Sequence, residues 1–221
     1  MPDQVREVVV GLDNGGTAIN ATVLDRAGRF LVDRLVETPS RVGEGPAVAI
    51  EALSDALTGV LKLTGVPREA VRAVGLDTPG PASADGVIST RGAVNFADPA
   101  WRGFDVRGAL EARLGLPVIY NNDANAASLY AHHVHFGPEA TRRSSVALIV
   151  GTGLGGGVVE TTPSFSDWFL ATVSEHTDLR AEQRPLVTFA LVPDLDMAGA
   201  RGAALAGAGA LGWPPPELRS S

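Results

Sequence analysis

The chain has 221 residues, of which 45% are hydrophobic and 19% charged, with a formal net charge of -7. That is apolar material for the core of one large domain or two small ones, and it excludes a wholly disordered chain. No Lys/Arg run exceeds two residues, which leaves no basic stripe for nucleic acid, and the lack of any cysteine excludes disulfides, Cys-ligated zinc and thiol catalysis.

A β-branched run from Val8 to Leu12 ends in a glycine-rich turn at Asn14–Gly16. Ile19–Leu24 and Phe30–Val36 read as two further strands joined by a turn at Asp25–Gly28, which makes a three-strand meander. Apolar residues at Val48, Leu53, Leu57, Val60 and Leu61 predict a helix over 45–64. Val71–Leu76 is a strand that Asp77–Pro81 breaks. Asp105–Leu114 is a short amphipathic helix, Pro117–Tyr120 a strand, and Asp123–Val134 a helix with an acidic first turn. Gly137–Ser144 reads as a linker, Ser145–Val150 as a strand, 151–157 as a turn, and Val158–Glu160 as the start of another strand. The opening pattern of strand, glycine turn and strand thus recurs, a weak internal duplication. Beyond Glu160 the expectation is a helix at Phe165–Val173, a strand at Leu186–Val192, an Ala/Gly-rich helix at Met197–Leu211, and a tail. The N-terminus shows no signal-peptide pattern and no apolar stretch reaches spanning length, so a cytoplasmic protein without membrane contact is expected.

Three segments carry chemistry. In Asp13-Asn14-Gly15-Gly16-Thr17, consecutive glycines let backbone N–H groups converge on an anion, Thr17 adds a hydroxyl, and Asp13 can hold a magnesium-bound water. An ordinary hairpin turn would use the same Asn-Gly pair. The second segment, 151–157, holds five glycines in seven residues and contains G-x-G-x-x-G. A dinucleotide site needs a helix after that pattern. Val158-Val159-Glu160 is strand-like, so a strand–turn–strand phosphate loop fits better. The third segment is Asn121-Asn122-Asp123-Ala124-Asn125-Ala126-Ala127, between a strand and a helix. Asp123 is either a helix cap or a general base toward a substrate hydroxyl, and Asn122 can donate to a second hydroxyl.

In this order and context the three segments, with Thr78–Ser83 and Asn95 in Gly-Ala-Val-Asn-Phe, resemble the ROK family of sugar kinases and repressors. That family lies within the actin/hexokinase/Hsp70 class. The likeness covers about residues 5–160, and 197–208 looks like the family's C-terminal adenosine-side helix. The resemblance implies an α/β fold of two ribonuclease-H-like lobes, the second incomplete, with the N-terminal lobe at 1–140 and the shortened C-terminal lobe at 141–221. It implies glucokinase-like transfer of the ATP γ-phosphoryl group to a hexose hydroxyl, with Mg²⁺. Asp123 would be the base. Asn95, Asn122 and Asp123 would line the sugar site. Gly15, Gly16 and Thr17, with Gly151, Thr152 and Gly153, would bracket the ATP phosphates, and Asp13 would assist Mg²⁺ through water. The family's repressors carry an N-terminal winged helix-turn-helix; a first strand starting near Val8 leaves no room for it, and no nucleic acid partner is expected.

The pattern breaks after the second glycine segment. Family kinases continue with a Glu-x-Gly-His segment that grips the sugar and a Cys-rich zinc loop. Here Glu160 runs into Thr161-Thr162-Pro163, the histidine beyond that point is His176, and no zinc site is expected. The chain is also shorter than a usual member. Either a natural remnant or an internal deletion near Thr161 accounts for this. The alternative function is a non-catalytic nucleotide- or sugar-binding remnant acting through self-association, and a homodimer is expected from the exposed sheet edge such a lobe would have. His132, His133 and His135 invite a metal reading, with a solvated helix terminus as the competing one. Trp101 and Trp168 are of a kind that stacks on sugars, with packing as the competing role.

Overall fold

The computed structural model describes residues 7–80, 82–91, 96–150, 154–159 and 195–214. β1 (Val8–Asn14), β2 (Ala18–Asp25) and β3 (Glu37–Pro39) form an antiparallel meander. β4 (Val71–Thr78) and β5 (Val118–Asn122) then extend the sheet parallel to β1, giving the order β3-β2-β1-β4-β5. β1 and β4 are buried on both faces. This is why each reads as an unbroken apolar run.

One face is covered by α1 (Pro46–Thr64) and α2 (Val106–Leu114). α1 opens with Pro46, whose fixed φ suits a first turn, and stops at Gly65, which takes φ +68°. Its buried stripe of Ile50, Leu53, Leu57 and Val60 meets Val8, Val10 and Leu12 of the sheet. Each such buried side chain contributes about 1.5–3 kcal/mol. α2 is capped by Asp105, which accepts from the Gly108 amide. Trp101 lies wholly inside this core, donates its indole N–H to the Val42 carbonyl at 2.9 Å, and meets Phe96 and Phe104 edge-on. It packs and is not offered to a ligand.

The other face carries α3 (Asp123–Phe136) and α4 (Leu195–Ala210), and the hairpin of β6 (Ser145–Val150) and β7 (Leu154–Val159) packs on α3. α4 was expected on the adenosine side of a second lobe; it lies against β1, β2, β4 and β5 of the first sheet. Glycine makes this docking close. A Cβ at Gly11 would collide with the Ala200 carbonyl, one at Gly75 with the Ala203 carbonyl, and one at Gly202 with the Ala126 carbonyl of α3. Helix backbone therefore rests on sheet backbone with no side chain between. Arg201 leaves the same helix and stacks over Phe30 and Tyr130, with its guanidinium donating to the Tyr130 hydroxyl.

Other expectations shift. Phe30–Val36 is not a strand: Phe30 bridges Leu24, Leu31 and Val36 each keep one hydrogen bond to β2, and β3 begins only at Glu37. Asp33 and Arg34 cannot follow their neighbours inward, and both are exposed. The expected turn at 151–157 is shorter, because Leu154 to Gly157 pair with β6. The expected linker contains a 3-10 helix at Gly137–Arg142. The expected helix at 165–173 and strand at 186–192, with Trp168, lie outside the described residues.

His132 is buried, not at a solvated terminus. Its Nδ1 meets Ser145 Oγ at 2.7 Å and its Nε2 meets the Ala140 carbonyl at 2.8 Å. A neutral ring that donates from Nε2 and accepts at Nδ1 satisfies both. Burial lowers its pKa, and burial with His132 alongside holds His133 at about 4.

The close helix–sheet approach predicts opposite results for two glycines. Gly75→Ala should cost at least about 2–3 kcal/mol in urea unfolding, because backbone has to move. Gly59→Ala, on the exposed side of α1 with open space around it, should raise stability by about 0.5–1 kcal/mol. The histidines set a pH dependence. An unfolded imidazole takes its proton near pH 6.5 and folded His133 only near 4. The unfolded state therefore binds more protons in that window, and stability falls as pH drops through it. His133→Gln should flatten that fall in denaturation midpoints measured from pH 7 to pH 4.

Candidate functional site

The parallel strands β1, β4 and β5 end side by side. Their register aligns Asp13 with Asp77 and Asp77 with Asn121, one residue before Asn122. In open α/β sheets the crevice beyond the carboxyl ends of the strands is where ligands bind. Asp13, Asp77 and Asn122 stand at that end.

Asp13 is flanked on three sides. Asn20 of β2 donates to its Oδ2 at 3.3 Å, Asp77 of β4 stands beside it, and a Cβ on Gly199 of α4 would come within 2.6 Å of Oδ2. Burial raises the Asp13 pKa, while hydrogen bonds from Asp77 and Asn20 pull it down. Asp77 is fully buried, and burial first and the Asp13 charge second push it well above the usual carboxylate range. A buried carboxyl group beside a second carboxylate is disfavoured in its charged form.

Asp77 was not singled out from sequence. The signal was there: Val-Gly-Leu-Asp occurs at 10–13 and again at 74–77, and the strands pair those two strings residue for residue. Beside them the Thr78 and Tyr120 hydroxyls are 2.7 Å apart, and a Cβ on Gly80 would lie 3.1 Å from Asn122 Nδ2. The loop after β4 thus reaches the start of α3.

Asn122 caps α3: its Oδ1 accepts from the amides of Ala124 at 3.0 Å and Asn125 at 3.4 Å. Asp123 is the first helical residue, is partly exposed, and accepts from the Ala124 amide through Oδ1 at 2.7 Å. The main capping role falls to its neighbour. The charge of Asp123 acts on both Asp13 and Asp77, so the three carboxyl groups belong to one site.

The turn after β1 is open. Gly15 donates to the Ala18 carbonyl at 2.9 Å, Gly15 and Gly16 are partly exposed, and Thr17 is exposed. The Gly15 amide is thus engaged within the turn, and an anion such as a phosphate would be met by the amides of Gly16 and Thr17 and the Thr17 hydroxyl. Among the described residues no group of three or more His, Asp or Glu side chains is placed to hold a metal ion. Asn95, Gly151, Thr152 and Gly153 lie outside the described residues. The strands flanking the second glycine turn are described, and Gly157 of β7 lies against Asn125 and Ser128 of α3, on the helix that carries Asp123.

The model of the ROK family matches residues 9–164. The glucokinase of Streptomyces coelicolor is 36% identical over 153 residues, which is 69% of this chain and 43% of that protein. Among solved structures, the ROK hexokinase of Thermus thermophilus is 42% identical with a TM-score of 0.56, over 69% of this chain and 46% of that one. A ROK family glucokinase from Streptomyces griseus, solved with glucose and AMPPNP, is 31% identical with a TM-score of 0.51, over 69% and 44%. The chain spans less than half the length of these relatives. The five-stranded mixed sheet agrees with the two-lobed α/β fold of these ROK kinases, with the second lobe incomplete. No described helix is long and apolar enough to cross a membrane.

Proposed function

The chain belongs to the ROK family, and we propose that it is a cytoplasmic, ATP-dependent hexose kinase. The observation that carries this reading is the convergence of Asp13, Asn122 and Asp123 at the ends of β1, β5 and α3, beside the open turn at Gly15–Thr17. Phosphoryl transfer asks the protein for a phosphate cradle, a metal-binding group and a base, all fixed before the reaction. This reading assigns those parts to these residues.

Gly15, Gly16 and Thr17 hold the ATP phosphates from one side, and Gly151, Thr152 and Gly153 from the other. Asp13 would hold Mg²⁺ through a water. Mg²⁺, when bound, neutralises charge on the phosphate oxygens. Asn95 and Asn122 orient the sugar. Asp123 takes the proton of the attacking hydroxyl as that oxygen bonds to the γ-phosphorus. The bond from the γ-phosphorus to the bridging oxygen breaks, and ADP leaves with the electron pair. Excluding water keeps it from competing as the acceptor. The relatives' names support glucose as a first sugar to try.

One observation favours a second reading, a non-catalytic nucleotide- or sugar-binding protein that acts through self-association. Glu160 is followed directly by Thr161-Thr162-Pro163, without the Glu-x-Gly-His segment that grips sugar in family kinases. Each hydrogen bond to a charged group so lost removes about 1.5–3 kcal/mol.

A coupled ADP-release assay over a panel of hexoses, beside Mg·ATP calorimetry, separates the two. The kinase reading expects hexose-dependent ADP release, and binding without turnover selects the second reading. Asp123→Ala should lower turnover by about 10²–10⁴-fold while Mg·ATP affinity and thermal unfolding stay unchanged, since Asn122 keeps the helix cap. Turnover at the wild-type level in that variant would remove Asp123 from the role of base.

A further inference from the structure

The kinase reading gives Asn122 a part toward the sugar and gives none to the two hydroxyls beside it. Thr78 pairs with Asn122 across the parallel strands β4 and β5, and Tyr120 stands two residues before Asn122, on the same face of the sheet. Thr78 is fully buried, and its Oγ1 lies 2.7 Å from the Tyr120 hydroxyl and 3.4 Å from the Pro79 carbonyl, to which it donates. A threonine hydroxyl has one hydrogen. With that hydrogen turned to Pro79, Tyr120 is the donor of the shorter bond, and a chain of two hydrogen bonds runs from β5 into the loop after β4. Packing fixes the far end of this chain. The Tyr120 ring lies against the main core and the turn at Gly86, where a Cβ would come within 3.0 Å of Cγ. The loop in turn meets Asn122. Asn122 Oδ1 is taken by the amides of Ala124 and Asn125, so Nδ2 is the donor left for a substrate hydroxyl. A Cβ on Gly80 would stand 3.1 Å from that Nδ2. Gly80 thus forms one wall of the space that Nδ2 can use.

We infer that Tyr120 is a positioning residue for the sugar: through the Thr78 hydroxyl it holds the loop at 78–80 against Asn122, and so fixes the direction in which Asn122 Nδ2 donates. Pro79 helps, because its ring fixes its own φ and confines Thr78 before it to extended backbone. A phenylalanine at 120 would fill the same space and leave the loop without its tether. A donor that is already aimed when the sugar arrives adds no ordering cost to binding. This rests on the reading of Asn122 as a residue that orients the sugar.

Three conservative substitutions in the full chain test this. Tyr120→Phe keeps the ring and removes the hydroxyl, Thr78→Val keeps the shape and removes the hydroxyl, and Thr78→Ser keeps the hydroxyl. Calorimetry uses whichever of glucose, mannose and galactose the wild-type chain binds most tightly. Tyr120→Phe and Thr78→Val should each bind that hexose about three- to tenfold more weakly, with Mg·ATP affinity within about twofold of wild type. Thr78→Ser should restore hexose affinity to within about twofold. The double variant should bind about as weakly as the weaker single one, because both changes cut the same chain. If Thr78→Val does not fold, Tyr120→Phe and Thr78→Ser decide. A bond that served stability alone would lower the unfolding midpoint and leave hexose affinity at the wild-type level. That result overturns the inference, as do equal losses of hexose and Mg·ATP affinity, or a wild-type chain that binds none of the three sugars. Hexose binding that responds as expected in a chain that releases no ADP overturns the kinase reading alone.

Discussion

The structure depends on one close contact, the backbone of α4 resting on the two glycines of β1 and β4. Alternate residues of a strand point to the same face. Gly11 and Asp13 therefore share a face, as do Gly75 and Asp77. The face that admits the helix is also the face that carries the carboxyl groups. One short string, used twice and paired with itself, thus does two things. Its glycines let a helix lie flat on the sheet, and its aspartates lie on the face that the helix covers. A larger residue at either glycine would lift the helix and let water reach both acids.

The electrostatics follow from this packing. Three carboxyl groups within one site would repel if all were charged and exposed, and burial settles which of them keeps its proton. Asp77, the deepest, is held well above the usual carboxylate range by its burial and by the neighbouring charges. Asn122 supports the arrangement by taking over the helix cap, which leaves Asp123 partly exposed at the start of α3.

Most of the sheet was readable from sequence because its strands are apolar and bounded by glycine or proline. The helix from Asp123 was readable because Asn-Asp after a strand marks a start. Phe30–Val36 misled because an apolar outline hid the charged pair Asp33-Arg34, which loops out of the pairing. Leu154–Gly157 misled because glycine has no strand propensity, and only the partner strand draws it into a ladder. The helix at Met197–Leu211 was legible as a helix but not in its place. A run of Ala and Gly has no marked apolar stripe, and only the matching glycines on β1 and β4, distant in sequence, say where it docks. Asp77 was missed for a related reason: its meaning lies in a neighbour that strand pairing supplies.

α4 also sets the order of events during synthesis. The sheet it covers is laid down by residues 8–122, yet the covering helix is made only at 195–210. A chain emerging from the ribosome carries Val9, Leu24, Ala73 and Tyr130 with their eventual cover still unmade. Contacts that bridge so long a stretch of chain form slowly, and a half-built sheet is sticky in the meantime. Until translation has passed Ala210, that apolar face has no cover of its own.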